Sequence, residues 1–582
     1  MTAPFAVASL DPGRRGIKIS ARGHINDLQK VFRTCSPPIK FRLSDLGLLL
    51  SFSDSDRLRE KLGPALRWEP LLERFLMNRI GLSARITNAR SAAEAIQITG
   101  PEEIKRRIGS LALTLTLDAH QVVNVAILTL PDSVGGCIFD EQGTGKTVTM
   151  IAAYDVLVER NDADTLLIIA PKSMIGEWKR EFDRFSNGLY KVVVAEGSKK
   201  AKAAALHSGA DVIVTNYETA ASCEDDLILL ARRCRLVLAV DESYNVKNPQ
   251  ALRTQALADL REWCVRAYVL CGTPAPNSPA DVVSQFDLVD FGYTFSGVDL
   301  STDREQIGEP IRLAMEERGL YVRNLKSKVL PDLPERRFTD VHVNMSEAQS
   351  QAYGTALSGL INEVRGIDES SFKNRRASFL EKRAALLRIC NGRFDGDSEI
   401  HAPTPKILAL DGILSDAVQS RKEKVVLWSF YRANLDYLAG RYARYGIVRI
   451  DGTVTDSAVR RSAVERFQND PEVRIFLGNP AAAGSGLTLH SARLAVYESL
   501  SNQTAHYLQS LDRIHRRGQT RPVEYITLLC TDTLEETEYG RLIAKAMSQA
   551  ELLGDPVQTR ETRDVFLARL IDAQLLLERN GL

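Results

Sequence analysis

The stretch DEQGTGKT, residues 140–147, places two glycines and a Lys-Thr pair between an apolar run and a segment with helical character. Glycine lets backbone N–H groups approach phosphate oxygens, and a helix N-terminus favours negative charge. In such a loop Lys146 reaches the β- and γ-phosphates and Thr147 binds Mg²⁺. The usual first glycine is absent, because Asp140 occupies its place. The stretch predicts a nucleotide site whose candidate contacts are Asp140, Glu141, Gln142, Gly143, Thr144, Gly145, Lys146 and Thr147.

Two adjacent carboxylates follow the apolar run LVLA, in the stretch VDESYNVKNP (240–249). Phosphoryl transfer needs a carboxylate to hold the metal and a group to orient the attacking water. Asp241 suits the metal, together with Thr147, and Glu242 suits the water. Acidic pairs at strand ends are also common in ordinary turns. The position of this pair about 95 residues after Lys146 favours the catalytic interpretation.

Two further stretches carry candidate groups. In LCGTPAPN (270–277) the Thr273 hydroxyl could lie near the γ-phosphate and sense hydrolysis, although such turns are ordinary. In QSLDRIHRRGQ (509–519) a helix would place Gln509, Arg513 and Arg516 on one face, opposite two buried leucines. Arginines on an exposed face are usually solvated. Their regular spacing here indicates arginine fingers, which can accelerate phosphoryl transfer roughly 10³- to 10⁵-fold.

Two series of short apolar runs must position these groups. Such runs, alternating with helical stretches, predict parallel sheets covered on both faces, and two series predict two α/β lobes. The first series is GGCIFD (135–140), TLLIIAP (165–171), DVIVTN (211–216), RLVLAVDE (235–242) and AYVLCGTP (267–274). The second is KVVLWSF (424–430), GIVRIDG (446–452), VRIFLGN (473–479), RLAVYES (493–499) and VEYITLL (523–529).

The pattern along the chain predicts five segments. Residues 1–110 contain no motif with recognisable chemistry. We expect them to form a small α+β accessory domain of unknown role. A first, nucleotide-binding lobe is expected over residues 111–335 and a second lobe over 401–550. Residues 336–400 between them are expected to be helical with basic surfaces, and residues 551–582 to form a helical tail.

Composition restricts the class of protein. With 75 Lys and Arg against 74 Asp and Glu, a chain that wraps non-specifically on nucleic acid is disfavoured, but a local basic groove is not. The eight cysteines include no CxxC pair, which favours free thiols in a reducing compartment. No run approaches about 18 apolar residues, and the N-terminus lacks a signal-peptide pattern. We therefore expect neither a membrane span nor a membrane partner.

Taken in order, these motifs resemble those of superfamily-two helicases, and within them the Swi/Snf family of DNA translocases. The resemblance runs from about residue 115 to residue 545. LDAHQ (117–121) is similar to the family's adenine-recognising motif, with Gln121 as the reader. Further similar segments are APKSMIGEWKREF (170–182), VTNYET (214–219), the linker VRNLKSKVLPDLP (322–334) and AAAGSGLTL (481–489).

The resemblance implies two RecA-like lobes that bind ATP and Mg²⁺ between them and step along one strand of duplex DNA as ATP is hydrolysed. It implies a DNA-dependent ATPase that translocates or remodels without separating strands. The implied contacts to the DNA backbone are Lys172, Ser173, Tyr217, Gly484 and Ser485. The implied coupling residues are Tyr244, Thr273, Gly486 and Gln509.

Departures from the family pattern leave alternatives open. Tyr244 stands where relatives have histidine, and we expect it to alter coupling while leaving the chemistry intact. Ala483, Ser485 and the stretch SNQ (501–503) also differ. The residues DES (241–243), which begin the acidic stretch, are closer to those of fork-remodelling relatives. Forked or branched DNA is therefore a candidate substrate. The alternatives are a strand-separating DNA or RNA helicase and a nucleotide-gated scaffold with slow hydrolysis.

Two further expectations complete this interpretation. Lys172 and Tyr217 could instead be ordinary surface groups. A compact bacterial or viral member predicts a cytoplasmic location, associated with the nucleoid in a bacterium or in the host cytoplasm for a virus. The sequence identifies no protein partner.

Overall fold

The computed structural model describes residues 5–11, 13–14, 16–21, 23–44, 47–276, 278–300, 307–392, 403–454, 456–483, 487–501 and 503–550, without the side chains of residues 44, 457 and 544–550. The chain divides into two compact units. Unit 1 comprises residues 1–275, 279–302 and 306–325, and unit 2 comprises residues 276–278, 303–305 and 326–582.

Unit 1 begins with a small α+β domain, as predicted. Its strands are β1 (Ala6–Leu10), β2 (Ile17–Ser20), β3 (Phe41–Ser44), β4 (Gly47–Leu50) and β5 (Leu66–Trp68). The helices that accompany and follow them are α1 (Ile25–Thr34), α2 (Ser55–Leu62), α3 (Pro70–Arg79), α4 (Leu82–Gln97) and α5 (Pro101–Ile108). The sheet order is β3-β4-β2-β1-β5. One face of this sheet packs against α1 and α2 in a single apolar core.

This domain is fixed to the following lobe of unit 1. The Arg14 guanidinium pairs with Asp259 and, at 2.7 Å, with the buried carboxylate of Glu262. The Asn78 amide donates to the same carboxylate at 2.8 Å, and Arg74 donates to the Glu262 carbonyl at 2.9 Å. Several directed contacts on one buried acidic residue therefore hold the domain in place.

The lobe that follows is built on a seven-stranded sheet. Its strands are β6 (Gly135–Ile138), β7 (Thr165–Ala170), β8 (Val192–Val194), β9 (Val212–Asn216), β10 (Leu236–Asp241), β11 (Arg266–Leu270) and β12 (Tyr321–Val322). Its helices are α6 (Ala119–Leu128), α7 (Lys146–Glu159), α8 (Ile175–Ser186), α9 (Lys199–Leu206), α10 (Tyr217–Ser222), α11 (Glu224–Ala231), α12 (Leu252–Arg261), α13 (Val283–Asp290) and α14 (Gly308–Arg318). The order is β12-β6-β11-β10-β7-β9-β8, with parallel pairing throughout.

Unit 2 contains a second parallel sheet. Its strands are β13 (Arg336–Val343), β14 (Val425–Trp428), β15 (Ile447–Ile450), β16 (Ile475–Gly478), β17 (Leu494–Tyr497) and β18 (Val523–Cys530), in the order β13-β18-β17-β14-β16-β15. Its helices are α15 (Lys326–Val329), α16 (Glu347–Arg365), α17 (Glu369–Cys390), α18 (Pro405–Leu414), α19 (Arg432–Arg441), α20 (Ser457–Asn469), α21 (Pro480–Ala483), α22 (Thr504–Leu511) and α23 (Leu534–Ala550). The predicted α/β class, with two RecA-like lobes and an N-terminal α+β region, is confirmed.

The helical prediction for residues 336–400 was wrong at its start, since residues 336–343 form β13. This strand pairs in parallel with β18 at the edge of the sheet and is mostly exposed, so its polar sequence does not resemble a buried strand. The predicted tail, residues 551–582, lies outside the described residues. The predicted domain boundaries at 110, 335, 400 and 550 stay predictions.

All eight cysteines are free thiols, as expected. Among the described helices, none combines the length and apolar character that a membrane-spanning segment needs.

Candidate active site

Three neighbouring strands of unit 1 end at one edge of the seven-stranded sheet. They are β6, β11 and β10, which pair in that order and run in parallel. The phosphate-loop stretch follows β6, the Gly272-Thr273 turn follows β11, and Asp241 ends β10. The structure therefore brings together the three motifs of this lobe that the sequence singled out.

The phosphate-loop stretch requires its second glycine. Gly145 has φ +93° and is the N-cap residue of α7, which begins at Lys146. A Cβ atom at Gly145 would lie 2.3 Å from the Gln121 Nε2 atom. The left-handed backbone disfavours a side chain here, and a Cβ atom would also displace the Gln121 amide. The backbone thus turns sharply into the helix N-terminus, which is the geometry expected for phosphate binding.

Asp140 lies at the base of this loop and is fully buried. Its carboxylate accepts hydrogen bonds from the Asn124 amide at 2.7 Å and from the Asn324 backbone and side chain at 2.8 and 2.9 Å. The Asp140 carboxylate is thus engaged within the protein, and the nucleotide contact predicted for this residue stays a prediction. The carboxylate holds the loop from below, which explains why an acid replaces glycine at this position.

Lys146 is buried within the loop that it was predicted to serve. Its ammonium donates to the Asp140 carbonyl at 2.9 Å and to the Glu141 carbonyl at 3.2 Å. The Thr144 hydroxyl also donates to the Glu141 carbonyl, at 2.8 Å. These bonds draw the loop around one cation, with Thr147 following in the first turn of α7.

Gln121 contacts the same loop. Its Oε1 accepts from the Asp118 backbone N–H at 2.9 Å, which forms the capping box at the start of α6. Its Nε2 donates weakly to the carbonyls of Thr144 and Gly145, at 3.4 and 3.3 Å. The structure thus brings Gln121 to the phosphate loop, while its role as an adenine reader stays a prediction.

The acidic pair is buried at the end of β10. The Asp241 carboxylate accepts from the Trp178 indole N–H at 2.8 Å and from the Glu242 N–H at 2.9 Å. Burial raises the pKa of Asp241, whereas the Trp178 hydrogen bond and the charge of Lys146 oppose that shift. The Gln142 amide donates to the Glu242 carboxylate at 3.0 Å, so the phosphate loop contacts the acidic pair directly.

Tyr217 supports the acidic pair from inside the protein. It is 3% exposed, and its hydroxyl donates to the carbonyls of Asp241 and Glu242. The Tyr217 side chain is therefore engaged inside the lobe, and the predicted DNA contact of this residue stays a prediction. The same bonds hold Glu242 in a left-handed conformation with φ +51°, which is unfavourable for a residue with a side chain.

A second support links the acidic pair to the β11 turn. The Ser243 hydroxyl donates to the Gln285 Oε1 atom at 2.6 Å, and the Gln285 amide donates to the Pro274 carbonyl at 2.7 Å. The Thr273 hydroxyl is buried and has no hydrogen-bond partner within the described part of the chain. A Cβ atom at Gly272 would lie 2.8 Å from Gln142, so this turn packs against the phosphate loop.

Other predicted residues of unit 1 occupy more open positions. Tyr244 is half-buried in the short 3₁₀ turn Ser243–Val246. Lys172 and Ser173 are exposed just after β7, which neighbours β10. They are thus accessible at the same edge of the sheet, whereas Gly484, Ser485 and Gly486 lie outside the described residues.

In unit 2 the predicted arginines converge, but not on a helix. Helix α22 ends at Leu511, so Arg513 and Arg516 lie in the turn that follows. Both guanidinium groups donate to the Leu487 carbonyl, each at 3.0 Å, and Arg513 also donates to the Gln509 carbonyl at 2.7 Å. The prediction of one continuous helical face was wrong, although the two arginines do lie together. The Gln509 Nε2 atom is buried without a hydrogen-bond partner among the described residues.

The linker fixes the end of this helix. The Lys326 ammonium pairs with Asp512, the first residue after α22, and donates to the His515 carbonyl at 3.2 Å. The His515 ring nitrogen lies 2.8 Å from the Pro334 carbonyl. These contacts stop the helix and set the path of the arginine turn.

Sequence reasoning missed several supporting residues: Asn124, Trp178, Gln285, Asn324 and Lys326. Trp178 and the linker lie within stretches that resemble the family, and the resemblance marks them as candidates. It does not indicate which residues they contact. Asn124 and Gln285 lie on ordinary helical stretches without a motif. Nothing in the local sequence marks them.

Comparison with known proteins agrees with this arrangement. A family described as SNF2-related domain matches residues 74–394, more than half of the chain, and the helicase conserved C-terminal domain matches residues 405–518. The chain is 30% identical over 486 residues to Chromodomain-helicase-DNA-binding protein 1-like of Mus musculus, covering 77% of this chain and 52% of the relative. It is 26% identical over 410 residues to an uncharacterized ATP-dependent helicase of Mycoplasma pneumoniae, covering 69% and 38%.

A solved structure, the Sulfolobus solfataricus SWI2/SNF2 ATPase core in complex with dsDNA, is 19% identical and covers 77% of this chain and 98% of that chain. Its TM-score is 0.35. The chain spans about half the length, or less, of these two curated relatives. The family match and the assembled motifs lead to one conclusion: the chain belongs to the SNF2-related, or Swi/Snf, family of superfamily-two ATPases.

Proposed function

We propose that the chain translocates on, or remodels, double-stranded DNA by means of DNA-stimulated ATP hydrolysis. The observation that carries this proposal is the 3.0 Å bond from Gln142 to Glu242. It joins the phosphate loop to the acidic pair in a chain of the Swi/Snf family. One relative is named as a helicase and DNA-binding protein, and another as an ATP-dependent helicase, which supports the same activity.

The residues present fit ATP and Mg²⁺. The buried Thr273 hydroxyl lacks a partner within the described residues and lies in a turn that packs on the phosphate loop, as a group facing a phosphate would. Thr147 and Asp241 offer the oxygen ligands that Mg²⁺ prefers. Bound Mg²⁺ would neutralise charge on the transferred phosphate and its leaving group.

The chain's own groups have distinct roles in this proposal. Lys146 and the loop N–H groups bind the phosphates, with Gln121 at the adenine. Glu242 orients the water, and the Gln142 amide holds the Glu242 carboxylate toward the loop. Arg513 and Arg516 are the proposed arginine fingers, and the coupling roles of Tyr244, Thr273, Gly486 and Gln509 belong to the same proposal.

DNA contact is proposed through Lys172 and Ser173, which are exposed at the sheet edge that carries the acidic pair. Contacts from Gly484 and Ser485 are proposed from the resemblance alone. Backbone phosphates are evenly spaced, so contacts of this kind do not depend on base sequence. Forked or branched duplexes are the finer proposal for the substrate. This activity places the chain where DNA is accessible, near the nucleoid in a bacterium or in the host cytoplasm for a virus.

The test is the rate of ATP hydrolysis with single-stranded, duplex and forked DNA and with RNA. We expect low basal hydrolysis that rises at least tenfold with duplex DNA. Lys146→Ala removes ATP binding, Glu242→Gln abolishes turnover with ATP binding retained, and Lys199→Ala on the exposed start of α9 is the matched control. Hydrolysis that no DNA stimulates refutes the proposal. Release of a labelled strand in a displacement assay favours a strand-separating helicase instead.

A further inference from the structure

The N-terminal domain is basic although the chain is nearly neutral. Residues 1–68 contain twelve Lys and Arg but six Asp and Glu, while the whole chain has a net charge of +1. Net charge alone does not locate a binding surface, because the position of the charges decides where a polyanion binds. The strand register of this domain gives that position.

The register places three cations on one face of the sheet. Lys18 on β2 pairs across the strands with Leu49 on β4, which pairs with Arg42 on β3. In the other direction, Ser9 on β1 pairs with Lys18. Val7, two residues from Ser9 and so on the same face, pairs with Arg67 on β5. Lys18, Arg42 and Arg67 thus share one face, which we call the basic sheet face.

The domain's core and the carboxylates of its first two helices lie on the other side of the sheet. The alternate residues Ala8, Ile19 and Leu50 face α1 and α2 and are buried. Asp27, Asp54, Asp56 and Glu60 lie on those helices or directly before them. Among the described residues, Lys18, Arg42 and Arg67 form no ion pair. None of the five strands contains Asp or Glu, whereas Asp11 and Glu69 directly follow β1 and β5. The basic sheet face therefore presents its three cations along the strands, with the two carboxylates at strand ends.

The face is also wide and firmly supported. Five strands spaced about 4.8 Å apart span roughly 19 Å, the length of five or six base pairs at about 3.4 Å each. Directed contacts on Glu262 fix the domain to the lobe that carries the phosphate loop. A ligand held on this face is therefore held at a fixed place on unit 1.

We propose that the basic sheet face binds the phosphate backbone of duplex DNA. Arg42 and Arg67 are exposed and Lys18 is partly exposed, and the uncharged residues Val7, Ser9, Ser20 and Leu49 share the face with them. The choice of DNA rests on the proposed function. The face carries no pattern for reading bases, so binding is independent of sequence and adds to the contacts made by the lobes.

The test compares two full-length triple variants with equal charge change. The sheet variant is Lys18→Gln/Arg42→Gln/Arg67→Gln, and the control is Lys30→Gln/Arg33→Gln/Lys61→Gln on the exposed surfaces of α1 and α2. Fluorescence anisotropy measures the affinity for a labelled duplex, without nucleotide, from 50 to 200 mM salt. Each phosphate contact contributes about 0.9 to the slope of log affinity against log salt. For the sheet variant this slope is expected to be smaller than that of wild type by about 2.7. The ratio of the two affinities then changes roughly 40-fold between 50 and 200 mM salt.

Each outcome decides between the alternatives. Equal slopes for the sheet variant and the control, or no duplex binding by wild type, overturn the proposal. Loss of binding to phosphatidylserine vesicles with an unchanged DNA slope assigns the face to anionic lipid and also overturns it. If the triple variant unfolds, the single variant Arg42→Gln on the edge strand replaces it. Its slope of log affinity against log salt is expected to be smaller than that of wild type by about 0.9.

ATP hydrolysis at saturating DNA separates this proposal from the proposed function. The sheet variant is expected to keep the wild-type maximal rate while requiring more DNA to reach it. A wild type whose hydrolysis DNA does not stimulate, but whose slope still depends on the three cations, refutes the motor function and leaves the basic sheet face standing.

Discussion

The Tyr217 hydroxyl offers the sharpest test of how the acidic pair is held. It donates to the carbonyls of Asp241 and Glu242, and Glu242 has a left-handed backbone. Burial, followed by the charge of Asp241, raises the pKa of Tyr217 well above its ordinary value, so the hydroxyl stays protonated and donates throughout the neutral range. Tyr217→Phe removes these two bonds and little else.

The magnitude follows from two costs. Loss of the Tyr217 donor from the buried Asp241 carbonyl costs about 1–3 kcal/mol, whereas the Glu242 carbonyl keeps the Asn245 amide as a donor. The left-handed backbone at Glu242 is itself unfavourable by about 1–2 kcal/mol and needs such bonds to persist. If the acidic turn loses about 1–2 kcal/mol of stabilisation, the population of its catalytic conformation falls roughly 5- to 30-fold. We expect kcat to fall by that factor, with ATP affinity within about twofold of wild type.

Tyr154→Phe is the matched control. The Tyr154 hydroxyl is also buried and donates to two carbonyls, those of Asp164 at 3.0 Å and Asp211 at 2.8 Å. These residues precede β7 and β9, at the opposite edge of the same sheet. DNA-stimulated ATPase rates and binding of a fluorescent ATP analogue measure both variants. Equal loss of kcat in the two, or a kcat for Tyr217→Phe within twofold of wild type, refutes the reasoning.

Three further predictions test other parts of the molecule. Gly145→Ala is expected to weaken ATP binding at least tenfold in a nucleotide titration, while Gly297→Ala, with similar φ and no atom near its Cβ position, does not. Lys406→Met leaves the buried Glu535 carboxylate without its partner and should destabilise the protein by about 3–5 kcal/mol in thermal unfolding, a loss that Lys406→Met/Glu535→Gln partly restores. Although burial lowers the pKa of Lys406, Glu535 raises it above its ordinary value, so this pair is intact at neutral pH and is lost only as pH rises through that folded-state pKa. Tyr244→Phe should retain basal hydrolysis and change only its stimulation by DNA; complete loss of hydrolysis would contradict the coupling role.

The site motifs could be predicted because parallel strands give a strong sequence signal. Strands β6, β10 and β11 are buried on both faces and read as continuous apolar runs. The residues after such strands must lie at one edge, so a motif found along the chain has a known place in the sheet. Strand β13 lacked that signal, since it is exposed at the sheet edge.

The supports could not be predicted, because they join residues that are far apart in sequence. Asp140 bonds Asn324, and Trp178 bonds Asp241. Local patterns report spacing along a helix or strand and do not report which side chains meet across a fold. Asp140 therefore had the same sequence signal as a nucleotide contact, and its bonds inside the protein could not be predicted from that signal.

Arg513 and Arg516 lie together as predicted, although the helix that was expected to group them ends before Arg513. Helical spacing predicted that Arg513 and Arg516 share a face, but the helix ends at Leu511. Asp512 is held by Lys326, and Gly518 adopts φ +101°, so the chain leaves the helical path. The arginines nevertheless meet at the Leu487 carbonyl. Their grouping thus depends on tertiary contacts that periodicity does not contain.

These supports explain why an unusual residue at position 244 is compatible with an intact acidic pair. Both of its neighbours are anchored. The Ser243 hydroxyl donates to Gln285, and the Asn245 side-chain amide donates a hydrogen bond to the Glu242 carbonyl at 2.8 Å. The Glu242 backbone is therefore fixed by residues other than Tyr244. Because Tyr244 is only half-buried, we expect its substitution to leave the carboxylates in place. We expect variation at this position to act on what the turn contacts. The position of Glu242, the proposed water-orienting residue, is set by Tyr217, Gln142 and the two anchored neighbours.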